Sequence, residues 1–156
     1  MGNLLSEAQA DMYYNAFTNA IKAVVEDNDN RLKQQSPINV LSTAFNFHII
    51  DEKCLVCRLG TVTANLDNVI FYDDDYYYCS QVLCRNIVNE YVKEHGLNCC
   101  EHTSTSVADL LESNGLIVAH MEGKTKRKSE KIKGYGSKRF MKISRKQLSK
   151  FINFDK

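Results

Sequence analysis

The chain has 156 residues, 44% of them hydrophobic, which fits one domain with a modest core, or one domain plus a tail. It contains no run of about 18 apolar residues, which excludes a transmembrane helix, and no basic-then-apolar leader of the secretory kind. The formal net charge of +1 conceals a split, since residues 1–120 carry −9 and residues 121–156 carry +10. An acidic body with a basic end points to nucleic acid or an anionic surface as its partner.

Residues 7–26 read as an amphipathic helix. Ser6 and Gln9 have capping-box spacing. Met12, Ala16, Ala20 and Val24, with Tyr13, Phe17 and Ile21, recur every three or four residues and form one apolar stripe, read as a core face. The polar run from Glu26 to Gln35 should end the helix, and Pro37 should prevent its resumption. Phe45, Phe47 and Ile49 alternate, which predicts a strand within residues 38–50. Thr61 to Tyr78 is rich in β-formers, and Asp73-Asp74-Asp75 reads as the turn of a hairpin.

A second helix is predicted from about Ser80 to Glu94, with Gly96 placed to terminate it. A short helix near Val107 to Glu112 should be capped by Ser104 or Ser106 and closed by Asn114-Gly115. Leu116 to Ala119 reads as a last core strand, and a final helix should follow Ser144 and pack back on the body.

Six cysteines lie at positions 54, 57, 79, 84, 99 and 100. In a reducing, intracellular compartment such a set favours metal over disulfides. Cys54-Leu55-Val56-Cys57 has the spacing of a knuckle that aims two thiolates at one ion. Gly60 supplies the backbone freedom such a turn uses. Cys79 and Cys84 lie at the start of the second helix, where the helix N-terminus favours thiolate. If both were helical they would lie about 140° apart, so Cys79 must precede the helix. Cys54, Cys57, Cys79 and Cys84 are therefore the candidate Zn²⁺ ligands, with His95 and Cys99 as weaker candidates from a second cluster. His48 and His120 read as structural or exposed. Four cysteines around one zinc form a closed site with a structural role. No catalytic motif is visible, so the chain reads as a non-enzyme.

The sequence Lys53-Cys54-Leu55-Val56-Cys57, then Tyr78-Cys79-Ser80 and Cys84-Arg85-Asn86, resembles the zinc-binding part of the poxvirus late transcription factor two family. The Tyr135-Gly136-Ser137 segment is similar to a family segment as well. The resemblance covers roughly a third of the chain and rests on short motifs. It implies a treble-clef zinc finger, and a viral factor working with transcription machinery in the host cytoplasm. A nuclear location is compatible with the same reading.

The basic segment begins at Lys124, Lys126, Arg127 and Lys128 and continues through Lys131, Lys133, Lys138 and Arg139. These cations are candidates for phosphate contacts, and Tyr135 among them is a candidate to stack on an unpaired base. Met1-Gly2-Asn3-Leu4-Leu5-Ser6 fits the N-myristoylation pattern at Gly2, which would bring an anionic membrane surface into play.

The organisation expected is a helix in residues 1–36, an α+β zinc-binding domain in 37–120 and a basic segment in 121–156. The expected function is zinc-dependent binding of DNA, RNA or the transcription apparatus. Two alternatives are a myristoylated membrane adaptor or matrix-like protein, and a cysteine-rich RNA-binding suppressor of host defence.

Overall fold

The structure, a computed structural model, describes residues 6–97 and 101–152, with the side chains of 29–35 excepted. Gly2, Cys99 and Cys100 lie outside the described residues. The chain divides into two units, Met1 to Ser36 and Pro37 to Lys156.

The first unit is one helix, α1 (Glu7–Gln35). Ser6 and Gln9 cap it reciprocally: Gln9 N–H donates to Ser6 Oγ at 3.2 Å and Ser6 N–H to Gln9 Oε1 at 3.1 Å. The helix continues through the polar run that was expected to end it. That run contains neither Gly nor Pro, so nothing in it breaks the backbone ladder before Pro37. The stripe expected to be a core face is exposed.

The second unit is α+β. Pro37 opens a helix, α2 (Pro37–Ile50), in place of the strand expected there. Proline suits the first helical position, where its missing N–H has no partner to lose. Ile38, Leu41, Phe45 and Ile49 follow the helical period and pack on one core cluster. Phe47 leaves that face and meets Tyr91 and His95 edge-on. The alternation of Phe45 and Phe47 was thus two faces of a helix.

The main sheet runs β1 (Leu55–Arg58), β2 (Val69–Tyr72), β3 (Tyr76–Cys79), β7 (Arg139–Ser144), β6 (Glu130–Lys131) in spatial order. β1 pairs with β2 in parallel, and the other pairs are antiparallel. The hairpin between β2 and β3 is the one expected. Asp73 Oδ1 accepts from the amides of Asp75 and Tyr76 at 2.9 and 2.7 Å, and Oδ2 accepts from the Tyr78 hydroxyl at 2.8 Å.

Successive side chains of each strand enter opposite cores. Ile70, Cys79, Met141 and Ile143 join the larger cluster with Phe45, Ile87 and Leu111. Val69, Phe71, Tyr78 and Phe140 form the smaller cluster on the other face. α3 (Gln81–Glu94) and α4 (Ser104–Ser113) pack with α2 over the larger one. Ser80 caps α3, and Thr103 with Ser106 forms a capping box on α4. Leu116 and Ile117 are buried as expected but form no strand; the Leu116 carbonyl accepts from the Ser144 amide at 2.9 Å.

Residues 121–152 belong to this same unit. After the β4 (His120–Glu122) and β5 (Thr125–Arg127) hairpin come β6, β7 and α5 (Arg145–Ser149). β7 sits inside the sheet between β3 and β6 because Phe140, Met141 and Ile143 alternate between the two cores. α5 follows Ser144 as expected, with Ser144 as its cap, and Leu148 packs back on the larger cluster. A boundary near residue 120 would cut through this core.

Candidate metal centre and basic cleft

Chain order brings a cysteine pair, a hairpin and a cysteine-bearing helix together. Cys79 ends β3, and Cys84 lies in the first turn of α3. Cys54, just before β1, joins both in the larger core cluster. The Cys79 Sγ lies 3.4 Å from the Ser80 carbonyl oxygen, to which its thiol donates. Burial pushes the Cys79 thiol well up from its ordinary value. The neighbouring Cys84 and Cys54 push it further, while the Cys84 backbone amide favours the thiolate. Burial pushes Cys54 up to about 11. Three thiols thus share one buried cluster, in which Cys54 and Cys79 stay protonated unless a cation replaces the protons.

Cys57 lies apart from them. It sits in β1, half-buried, and packs against the smaller cluster on the opposite face of the sheet. The cause is strand geometry: Cys54 and Val56 turn to one side and Cys57 to the other. Sharing a cluster is a weaker condition than convergence on one point. Among the described residues, no three His, Cys, Asp or Glu side chains are grouped as metal ligands.

His95 packs rather than points inward. It stacks on Tyr91 with ring centroids 4.0 Å apart, and its Nδ1 lies 2.9 Å from the Tyr91 carbonyl oxygen. His48 is buried on α2, and burial pulls its pKa below the ordinary value. Glu90 and Glu94 oppose that pull, Lys53 adds to it, and Asp51 opposes it. Because the folded state prefers neutral His48, its unfolded counterpart binds the proton more readily. Stability should therefore fall as pH drops below about 6.5, and His48→Gln should flatten that decline in thermal melts taken between pH 7.5 and 5.

Five of the expected nucleic-acid residues come together. Lys126, Arg127, Lys128, Lys138 and Arg139 line a cleft of about 450 Å³, whose remaining wall is the first turn of α3 with Thr105 and Ala108 of α4. The positive end of the α3 dipole faces the same space. Each of these cations already has an acidic neighbour. Lys126 lies 2.8 Å from Glu112, and Lys128 pairs with Asp109 and with Glu112 at 3.2 Å. Glu122 takes Arg139 at 2.6 Å and Arg127 at 3.7 Å, and Lys138 pairs with Asp67. Lys124, Lys131 and Lys133 are exposed elsewhere. The wall formed by Ser80, Gln81 and Thr105, and the acidic partners, were missed in the sequence. Ser80 was legible as the approximate start of a helix, but its nearness to residues 126–139 needed the fold.

Tyr135 has a different role from base stacking. It is 8% exposed, and its ring lies 4.4 Å from that of Phe71. Its hydroxyl accepts from the Gly60 amide at 2.8 Å and donates to the Thr61 carbonyl at 3.1 Å. The aromatic ring serves the smaller core and pins the loop after β1. Tyr135→Ala should cost about 3–5 kcal/mol by denaturant unfolding, through cavity and lost bonds together. Tyr135→Phe should cost about 1–2 kcal/mol and leave single-strand binding unchanged.

Among the described residues, no helix is long and apolar enough to cross a membrane. Compared with models of protein families, with curated proteins and with solved structures, the chain matches none.

Proposed function

We propose that this chain is a zinc-stabilised α+β module that binds nucleic acid through the cleft beside the α3 N-terminus. The observation that carries the reading is the gathering of five cations from β5, β7 and their flanks on one concave surface. Zinc is supported by the donor chemistry of Cys54, Cys79 and Cys84 in one buried cluster, with Cys57 on the adjoining strand as the further thiol. The order of cysteine pair, hairpin and cysteine-led helix supports a treble-clef plan and the likeness to late transcription factor two. Zinc would cross-link β1 to the β3–α3 junction and hold the wall of the cleft in place.

Fluorescence anisotropy with labelled single-stranded and duplex DNA and RNA, at 50 and 200 mM salt, tests the function. Binding that weakens steeply with salt is expected. Absence of binding to all four probes at 50 mM salt overturns it.

A further inference from the structure

α1 is 29 residues long, or about 43 Å, and forms a compact unit of its own. Seven large apolar side chains on it are exposed, Tyr14 at 70% and Phe17 at 66% among them. Together they offer on the order of 700 Å², close to one partner's share of a stable interface. An apolar surface of that size marks an interaction site.

From these features we infer that α1 pairs with α1 of a second copy of this chain as a parallel two-stranded coiled coil. Ala10, Tyr14, Phe17, Ile21, Val24 and Asn28 are spaced 4-3-4-3-4, the alternation of d and a positions in a heptad. That seam repeats every 3.5 residues, which suits a partner helix that supercoils with it. The positions flanking the seam are Asp11, Tyr13, Thr18, Ala20, Val25 and Asp27; the two aspartates lie at opposite ends of the seam and do not face each other in a parallel pair, so two copies meet there without like charges opposed. The seam and its flanks account for all the large exposed apolar residues of α1 except Met12. Asn28 falls at an a position, where two copies in parallel register bring their amides together, and this fixes register at some cost in stability.

A lipid surface is the poorer occupant. Membrane-lying helices carry Lys and Arg on the polar face, whereas the face opposite the seam here carries Asn15, Asn19, Lys22 and Glu26, a single cation matched by an anion.

The test uses the full chain, made in bacteria so that Gly2 carries no acyl group. Sedimentation equilibrium from 1 to 100 µM should give the dimer mass. Phe17→Glu, on the exposed seam, should weaken the dimer by at least about 100-fold, while Asn15→Glu on the opposite face should leave it intact. Both variants should keep the parent thermal transition of residues 37–156. A monomer throughout the concentration range overturns the inference. So does a dimer indifferent to Phe17→Glu, which would locate self-association on another surface. Binding of a persistent monomer to phosphatidylserine vesicles would assign the stripe to lipid and overturn it too.

Discussion

Protein purified from zinc-supplemented culture should contain about one zinc per chain, and Cys79→Ser or Cys84→Ser should remove it. These two positions carry the largest expected effect because they close the β3–α3 junction from inside the larger core. A structural zinc contributes an apparent 10–16 kcal/mol, comparable with or above the whole stability of an ordinary domain at 5–15 kcal/mol. A chelator should therefore unfold residues 37–156 cooperatively, not merely soften them. If the cysteines serve only as small apolar side chains, Cys79→Ala should cost about 0.5–3 kcal/mol and metal analysis should find nothing. Thiol alkylation cannot separate these cases, because burial alone makes Cys54 and Cys79 slow to form thiolate. Metal content is the decisive reading. Cys57→Ser then identifies the fourth ligand. Loss of zinc means that Cys57 leaves the smaller cluster to complete the site, and retention means that it stays there and another group completes it.

Neutralising two acidic residues should strengthen nucleic-acid binding. In the cleft, Lys126 and Lys128 are held by Asp109 and Glu112, so a phosphate must displace a carboxylate to reach them. Exposed pairs of this kind are worth little, and a polyanion that releases its counterions can replace them at low salt. If roughly four to six cations reach phosphates, the logarithm of affinity falls with the logarithm of salt at a slope near −3 to −5. That corresponds to about 10²- to 10³-fold between 50 and 200 mM salt. Replacing Lys126, Arg127 and Lys128 with alanine should flatten the slope by about two to three and weaken all sequences alike. Asp109→Asn combined with Glu112→Gln should act the other way, tightening binding several-fold without altering the fold. A surface that merely solvates the chain would give flat anisotropy in both variants.

Much of the local architecture was legible because it depends on neighbours in sequence. The starts of α3 after Ser80 and of α5 after Ser144, the Asp73 turn and the end of α4 at Asn114 are short-range hydrogen-bond arrangements, whereas the α4 cap fell on Thr103 and not on Ser104 or Ser106. The cysteine pairs were visible as spacing, and the charge split as composition. Pro37 misled, because proline either stops a helix or starts one, and the choice rests on whether the residues after it can bury a helical face. Here Ile38, Leu41 and Phe45 bury one against α3.

The sequence alone thus determined which residue types could do chemistry, where α1, α3 and α5 begin, and that cations crowd the last quarter of the chain. Only the tertiary structure decided that this quarter is no free arm. Phe140, Met141 and Ile143 are too apolar to remain in water, and burying them threads β7 between β3 and β6. That one pairing carries Tyr135 into the core, sets five cations beside the α3 N-terminus and brings acidic groups within reach of each. It is a long-range consequence, since residues some sixty apart, such as Cys79 and Met141, become neighbours across a ladder that no local pattern encodes. Strand alternation likewise separated Cys57 from Cys54, a matter of which face of a sheet a side chain takes, and that face exists only once the sheet has formed.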